Sequence, residues 1–116
     1  MAKFLFIYRE ATESRAKPSP EEMQALQDAW YAWMQKFGSA IVGGDGLKPT
    51  GRVLKAGLVT DGPYAEVKEV IASFSIIQAD NYDAAVAIAR ECPGDDDRWP
   101  NCPARPLEIR EMAGYA

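Results

Sequence analysis

The sequence contains no histidine. Without imidazole there can be no Ser-His-Asp or Cys-His nucleophile system, no His-ligated zinc, and no side chain whose ordinary pKa lies near neutrality. Cysteine is nearly as scarce: Cys92 and Cys102 are the two present, and with no export signal beside them they read as reduced thiols rather than a disulfide. Basic residues number 13 against 17 acidic ones, for a formal net charge of −4 and a pI near 4.8. That balance argues against a nucleic-acid binder, which needs a basic stripe to engage phosphates. Long apolar runs are missing too. The run at residues 4–8 is too short for the core of a signal peptide and far too short to cross a bilayer, so the sequence predicts a cytoplasmic protein that enters no membrane.

What is present is enough for one domain spanning residues 1–116, a length at which about two-thirds of the unfolded surface leaves water. Residues 3–9 read as a strand that is apolar on both faces, with Phe4, Phe6 and Tyr8 on one and Leu5 and Ile7 on the other. Ser19-Pro20-Glu21-Glu22 has the pattern of a capping box with proline at the first helical position. The helix it opens carries Met23, Leu26, Trp30, Trp33, Met34 and Phe37 along one stripe, with Gly38 just past its end. Trp30 and Trp33 therefore read as core.

Ala40-Ile41-Val42 begins a strand expected to break at Gly43-Gly44-Asp45-Gly46, and a short hairpin is predicted about Lys55-Ala56-Gly57. Residues 70–79 form the longest strand pattern, with Ala72, Phe74 and Ile76 on one face and Ile71, Ser73, Ser75 and Ile77 on the other. Asp80-Asn81-Tyr82-Asp83 caps a second helix with an Ala-rich stripe ending at Cys92, in which the cysteine reads as a small hydrophobe. Residues 93–106 read as an irregular loop, and residues 106–112 as a last strand. The order is β-α-β-hairpin-β-α-β, an α+β split βαβ arrangement with two helices on one face of an antiparallel sheet. Leu5, Ile7, Ile71 and Ile77 are then left with no helix of the same chain to cover them. The expectation is a homodimer whose sheets pack face to face.

Chemistry-bearing residues concentrate in Asp61-Gly62-Pro63-Tyr64-Ala65-Glu66-Val67-Lys68-Glu69. Asp61 and Glu66 suit proton transfer or the orientation of a substrate hydroxyl, and Lys68 suits an enolate or a carboxylate. The plainer alternative is a capped turn followed by a solvated edge. The glycines at 43–46 lack the lysine and helix of a phosphate loop, and Asp95-Asp96-Asp97 lacks the spacing of a calcium loop. The sequence calls for no metal and no cofactor.

Segment 61–69 resembles the signature of the DGPF family within the YCII-related domains, with Tyr64 where that family usually has Phe. Phe4 to Tyr8 is similar to the family's first strand, Gly43-Gly44-Asp45-Gly46-Leu47 to its Gly-Gly-acidic-Gly-Leu element, and the second helix ending at Cys92-Pro93 also fits. The resemblance implies a ferredoxin-like fold that dimerises into an α/β barrel, with a cleft of unestablished activity. It also implies domains that stand alone or beside sigma-factor-like regulators. Three departures stand out. This chain has no His for the His-Asp pair of some YCII-related members, it has Ala72-Ser73 where Gly-Gly is usual, and Arg110-Glu111 only loosely echoes a terminal Arg-Pro.

Two functions follow as expectations. In one, a cleft holds a small molecule near segment 61–69, with Asp61, Glu66 and Lys68 as acid-base groups and Tyr8, Asp45, Tyr64 and Glu69 binding the ligand. In the other, the chain is a non-catalytic homodimer that senses a ligand or partners a transcription regulator.

Overall fold

A computed structural model describes residues 1–11, 19–48, 50–62, 69–93 and 107–114. The elements are β1 (Ala2–Ala11), α1 (Pro20–Lys36), β2 (Ile41–Gly46), β3 (Gly51–Lys55), β4 (Leu58–Gly62), β5 (Glu69–Ala79), α2 (Tyr82–Arg90) and β6 (Glu108–Glu111). Helix α1 starts where its capping box predicts. Ser19 Oγ accepts the Glu22 N–H at 3.1 Å, and the Glu22 carboxylate accepts the Ser19 N–H at 3.4 Å. At α2 the cap is Asn81, whose side chain accepts the Ala84 N–H at 2.9 Å.

Strands β2, β5, β1 and β6 form one sheet in that order, with every pair antiparallel. This is the ferredoxin-like split βαβ order expected from the sequence, with the β3–β4 hairpin inserted. In the β1–β5 register Phe4 faces Ile77, Phe6 faces Ser75 and Tyr8 faces Ser73. Both helices cover that side, where Phe4, Phe6 and Ile77 are fully buried against Trp33 of α1 and Ala85 and Ala89 of α2. The helices are tied to each other by the Trp33 indole N–H, which donates to the Ile88 carbonyl at 3.0 Å, and by the Lys36–Glu91 ion pair.

The opposite face differs from expectation in one respect. Ile77 lies under the helices, and the apolar residues of the face turned from them are the half-buried pairs Leu5 opposite Ile76 and Ile7 opposite Phe74, with the exposed Ile71 beside Arg9. Alternation separates the two faces of a strand but does not say which one meets the helices. A bulge between Tyr8 and Arg9 then moves Ile71 off the Ser73 side and onto the uncovered one. Arg9 pairs with Glu108 at 2.8 Å and Arg110 approaches the same carboxylate at 3.4 Å, giving this face a charged margin at β6. The hydrogen bond from Arg9 holds the Glu108 carboxyl below its ordinary pKa.

Strand β2 also corrects the sequence reading, because it runs on through the glycines to Gly46. Pairing with β5 fixes that backbone, with a register shift between Ile41 and Gly43. The β3–β4 hairpin forms a two-stranded sheet of its own, closed by Ala56 and Gly57 at φ 50° and 82°, the positive pair a type I′ turn requires.

Candidate ligand-binding cleft

Between α1 and the β2–β5 pair lies an open cleft of about 550 Å³. One wall is aromatic. Tyr8, Trp30 and Trp33 meet edge to face in sequence, with ring centroids 5.3 Å and 5.8 Å apart. The stripe that reads as core in the sequence thus has a second use. Trp33 is buried, whereas Trp30 is half-buried and turns part of its surface to the cleft.

The other wall is the bare backbone of β2. Gly44 has φ +150°, and a Cβ there would stand 2.6 Å from the Phe74 carbonyl oxygen, so the strand lies against β5 only because that residue is glycine. Gly46 faces Ser73 in the register and would place a Cβ in open space, with nothing within 4 Å.

The inner end is polar. The Tyr8 hydroxyl is 3.1 Å from Ser75 Oγ, and Cys92 Sγ donates to the same phenol oxygen at 3.6 Å. Tyr8, Ser75 and Cys92 are all buried, and burial pushes the Tyr8 phenol well above its ordinary pKa, so it stays protonated at physiological pH. Asp45 borders the cleft at its exposed rim. It stands opposite Phe74 in the register, so its side chain leaves on the face turned from the helices, and its carboxylate accepts the Gly46 N–H at 2.8 Å.

Of the site residues expected from the sequence, the structure therefore brings Tyr8 and Asp45 to one cleft. Asp61 is elsewhere, on the exposed β4 strand of the hairpin, with its carboxylate 3.4 Å from the Arg52 guanidinium. Glu69 opens β5, where its backbone pairs with Ala11. It precedes the cleft residue Ser73 by roughly 13 Å of strand. Tyr64, Glu66 and Lys68 lie outside the described residues. Missed from the sequence were Trp30, Gly46, Ser73 and Ser75 as cleft residues. The available signal was the pair of hydroxyls on alternate positions of an otherwise apolar strand. Among the described residues no three His, Cys, Asp or Glu side chains stand close enough to hold a metal ion, and no helix is long and apolar enough to cross a membrane.

These features define a ferredoxin-like α+β domain with an aromatic cleft on its helical side. The chain belongs to the YCII-related domain family, whose model matches residues 3–96. Among solved structures it is similar to the 5-chloro-2-hydroxyhydroquinone dehydrochlorinase of Burkholderia phenoliruptrix AC1100, in complex with 2,5-dihydroxybenzoquinone. The identity is 18% over 95% of this chain and 92% of that one, with a TM-score of 0.46. No functionally curated protein matches the chain.

Proposed function

We propose that this chain is a cytoplasmic YCII-related protein of the DGPF group that binds a small molecule in the cleft between α1 and the β2–β5 pair. The observation that carries the proposal is the cleft itself: aromatic rings on one side, glycine backbone on the other, and a buried hydroxyl pair at its inner end. This combination of apolar walls with a few convergent polar groups is typical of ligand sites. Segment 61–69 leads into β5, the strand that supplies Ser73 and Ser75. That continuity supports Glu66 and Lys68 as groups for acid-base chemistry on the bound molecule, with Tyr64 and Glu69 near it. Asp61, paired with Arg52, has less support.

A second reading, a non-catalytic homodimer that senses a ligand or partners a transcription regulator, is favoured by the uncovered sheet face. Leu5, Ile7, Phe74 and Ile76 there call for a cover that this chain's own helices, both on the other face, do not supply.

Gly46→Leu tests the binding proposal. A side chain at this position meets open space, so the variant is expected to fold with a Tm close to that of the parent while filling the cleft. Compounds selected by thermal stabilisation of the parent should lose at least about tenfold in affinity for it, or roughly 1.4 kcal/mol. A folded Gly46→Leu that binds every such compound unchanged would remove the cleft as the site.

A further inference from the structure

Resting on that cleft as the binding site, we infer that Ser75 is its polar anchor and that the ligand is an uncharged, flat molecule presenting a carbonyl oxygen to the Ser75 hydroxyl. Shape is the first reason. The Tyr8 and Trp30 rings on one side and the side-chain-free backbone at Gly44 and Gly46 on the other are surfaces along which a flat ring can stack.

Charge is the second. Among the described lining residues there is no Lys or Arg, the phenol of Tyr8 is protonated, and the one carboxylate, Asp45, sits at the exposed rim. Among the described residues, an anion entering the cleft would lose water and meet no counter-charge. A cation would find its nearest described carboxylate, Asp45, directed to the Phe74 face and away from the buried hydroxyls.

The direction of the hydrogen bonds is the third. Cys92 donates to the Tyr8 oxygen, which leaves the phenol proton free to go to Ser75 Oγ. Bonds running in one sense reinforce one another. In that sense the Ser75 hydroxyl proton is the one not consumed within the chain Cys92, Tyr8, Ser75. Ser75 is 8% exposed and lines the cleft, where a buried hydroxyl left without an acceptor is costly. Trp30, whose indole N–H has no hydrogen-bond partner among the described residues, offers a second donor on the same wall.

The test uses four probes of nearly equal size, benzamide, benzoate, benzylammonium and toluene, titrated into the ¹⁵N-labelled protein. Benzamide is expected to shift the amides of Gly43, Gly44, Gly46 and Ser75, with benzoate and benzylammonium binding at least about tenfold more weakly. In Ser75→Ala, benzamide should weaken about tenfold, the upper range for one neutral hydrogen bond, while toluene binding stays unchanged. Tyr8→Phe, which removes the phenol that orders Ser75, should weaken benzamide in the same direction. If benzoate or benzylammonium binds as tightly as benzamide at these amides, the cleft stands and the ligand class is overturned. If Ser75→Ala binds benzamide undiminished, the anchor is overturned. If none of the four probes moves these amides, the cleft is not the site and this inference goes with it.

Discussion

Tyr8 concentrates the competing demands on a single residue. Its ring packs in the core and against Trp30, and its hydroxyl connects Cys92 to Ser75. The buried phenol has a pKa raised above its ordinary 10.0. The stability this residue contributes is therefore fully present below pH 10 and lost as pH climbs towards the folded-state pKa, because the unfolded chain releases a proton that the native chain keeps. The slope is about 1.4 kcal/mol per pH unit. Urea unfolding between pH 9 and 11.5 should show the parent losing stability more steeply than Tyr8→Phe above pH 10. The variant should begin about 1 kcal/mol less stable at pH 8 for the lost hydrogen bond. Parallel curves would contradict the burial of the hydroxyl. Tyr8 and Asp45 were legible through the resemblance of the first strand and of Gly43-Gly44-Asp45-Gly46-Leu47 to elements of the DGPF family. Ser73 and Ser75 were marked only as two hydroxyls on one face of an apolar strand, and what that face meets is not known until the register is.

At the level of elements, β2 decides the shape of the cleft. Its glycines read as a break in the strand because glycine has weak intrinsic β preference, and pairing with β5 overrides that preference. The glycines are not equivalent. Gly44→Ala should cost at least about 2 kcal/mol, from the positive φ and the close Phe74 carbonyl, whereas Gly46→Ala should stay within about 0.5 kcal/mol. Thermal unfolding of the two variants separates them, and equal losses would mean that β2 does not sit against β5 as described. Both helix starts were legible from Ser19 and Asn81, because caps are local signals. The position of Asp61 was not. The local sequence shows a turn after it but cannot say that the hairpin forms a two-stranded sheet of its own and leaves Asp61 exposed beside Arg52.

For the whole molecule, element order and the two-sided apolar strands were enough to reach the split βαβ sheet. Alternation could not say which apolar side the helices cover, and a single bulge decided the face of Ile71. The uncovered side carries Leu5, Ile7, Ile71, Phe74 and Ile76 on a sheet about 19 Å wide. If this face is the seam of a homodimer, sedimentation at micromolar concentration should give twice the chain mass of 12.8 kDa, and Ile7→Lys should return the monomer. A parent that sediments as a monomer would rule the seam out. Binding in the cleft lies on the other, helical side of the sheet and is a separate question. The measurement that meets it most directly is an amide shift map of the parent with a bound compound, repeated on Gly46→Leu. The shifts are expected to centre on Gly43–Gly46, Ser73, Ser75 and the Trp30 indole, and to vanish in the filled variant. Shifts centred instead on Leu5, Ile7 and Ile76, or persisting in Gly46→Leu, would contradict the cleft as the functional site.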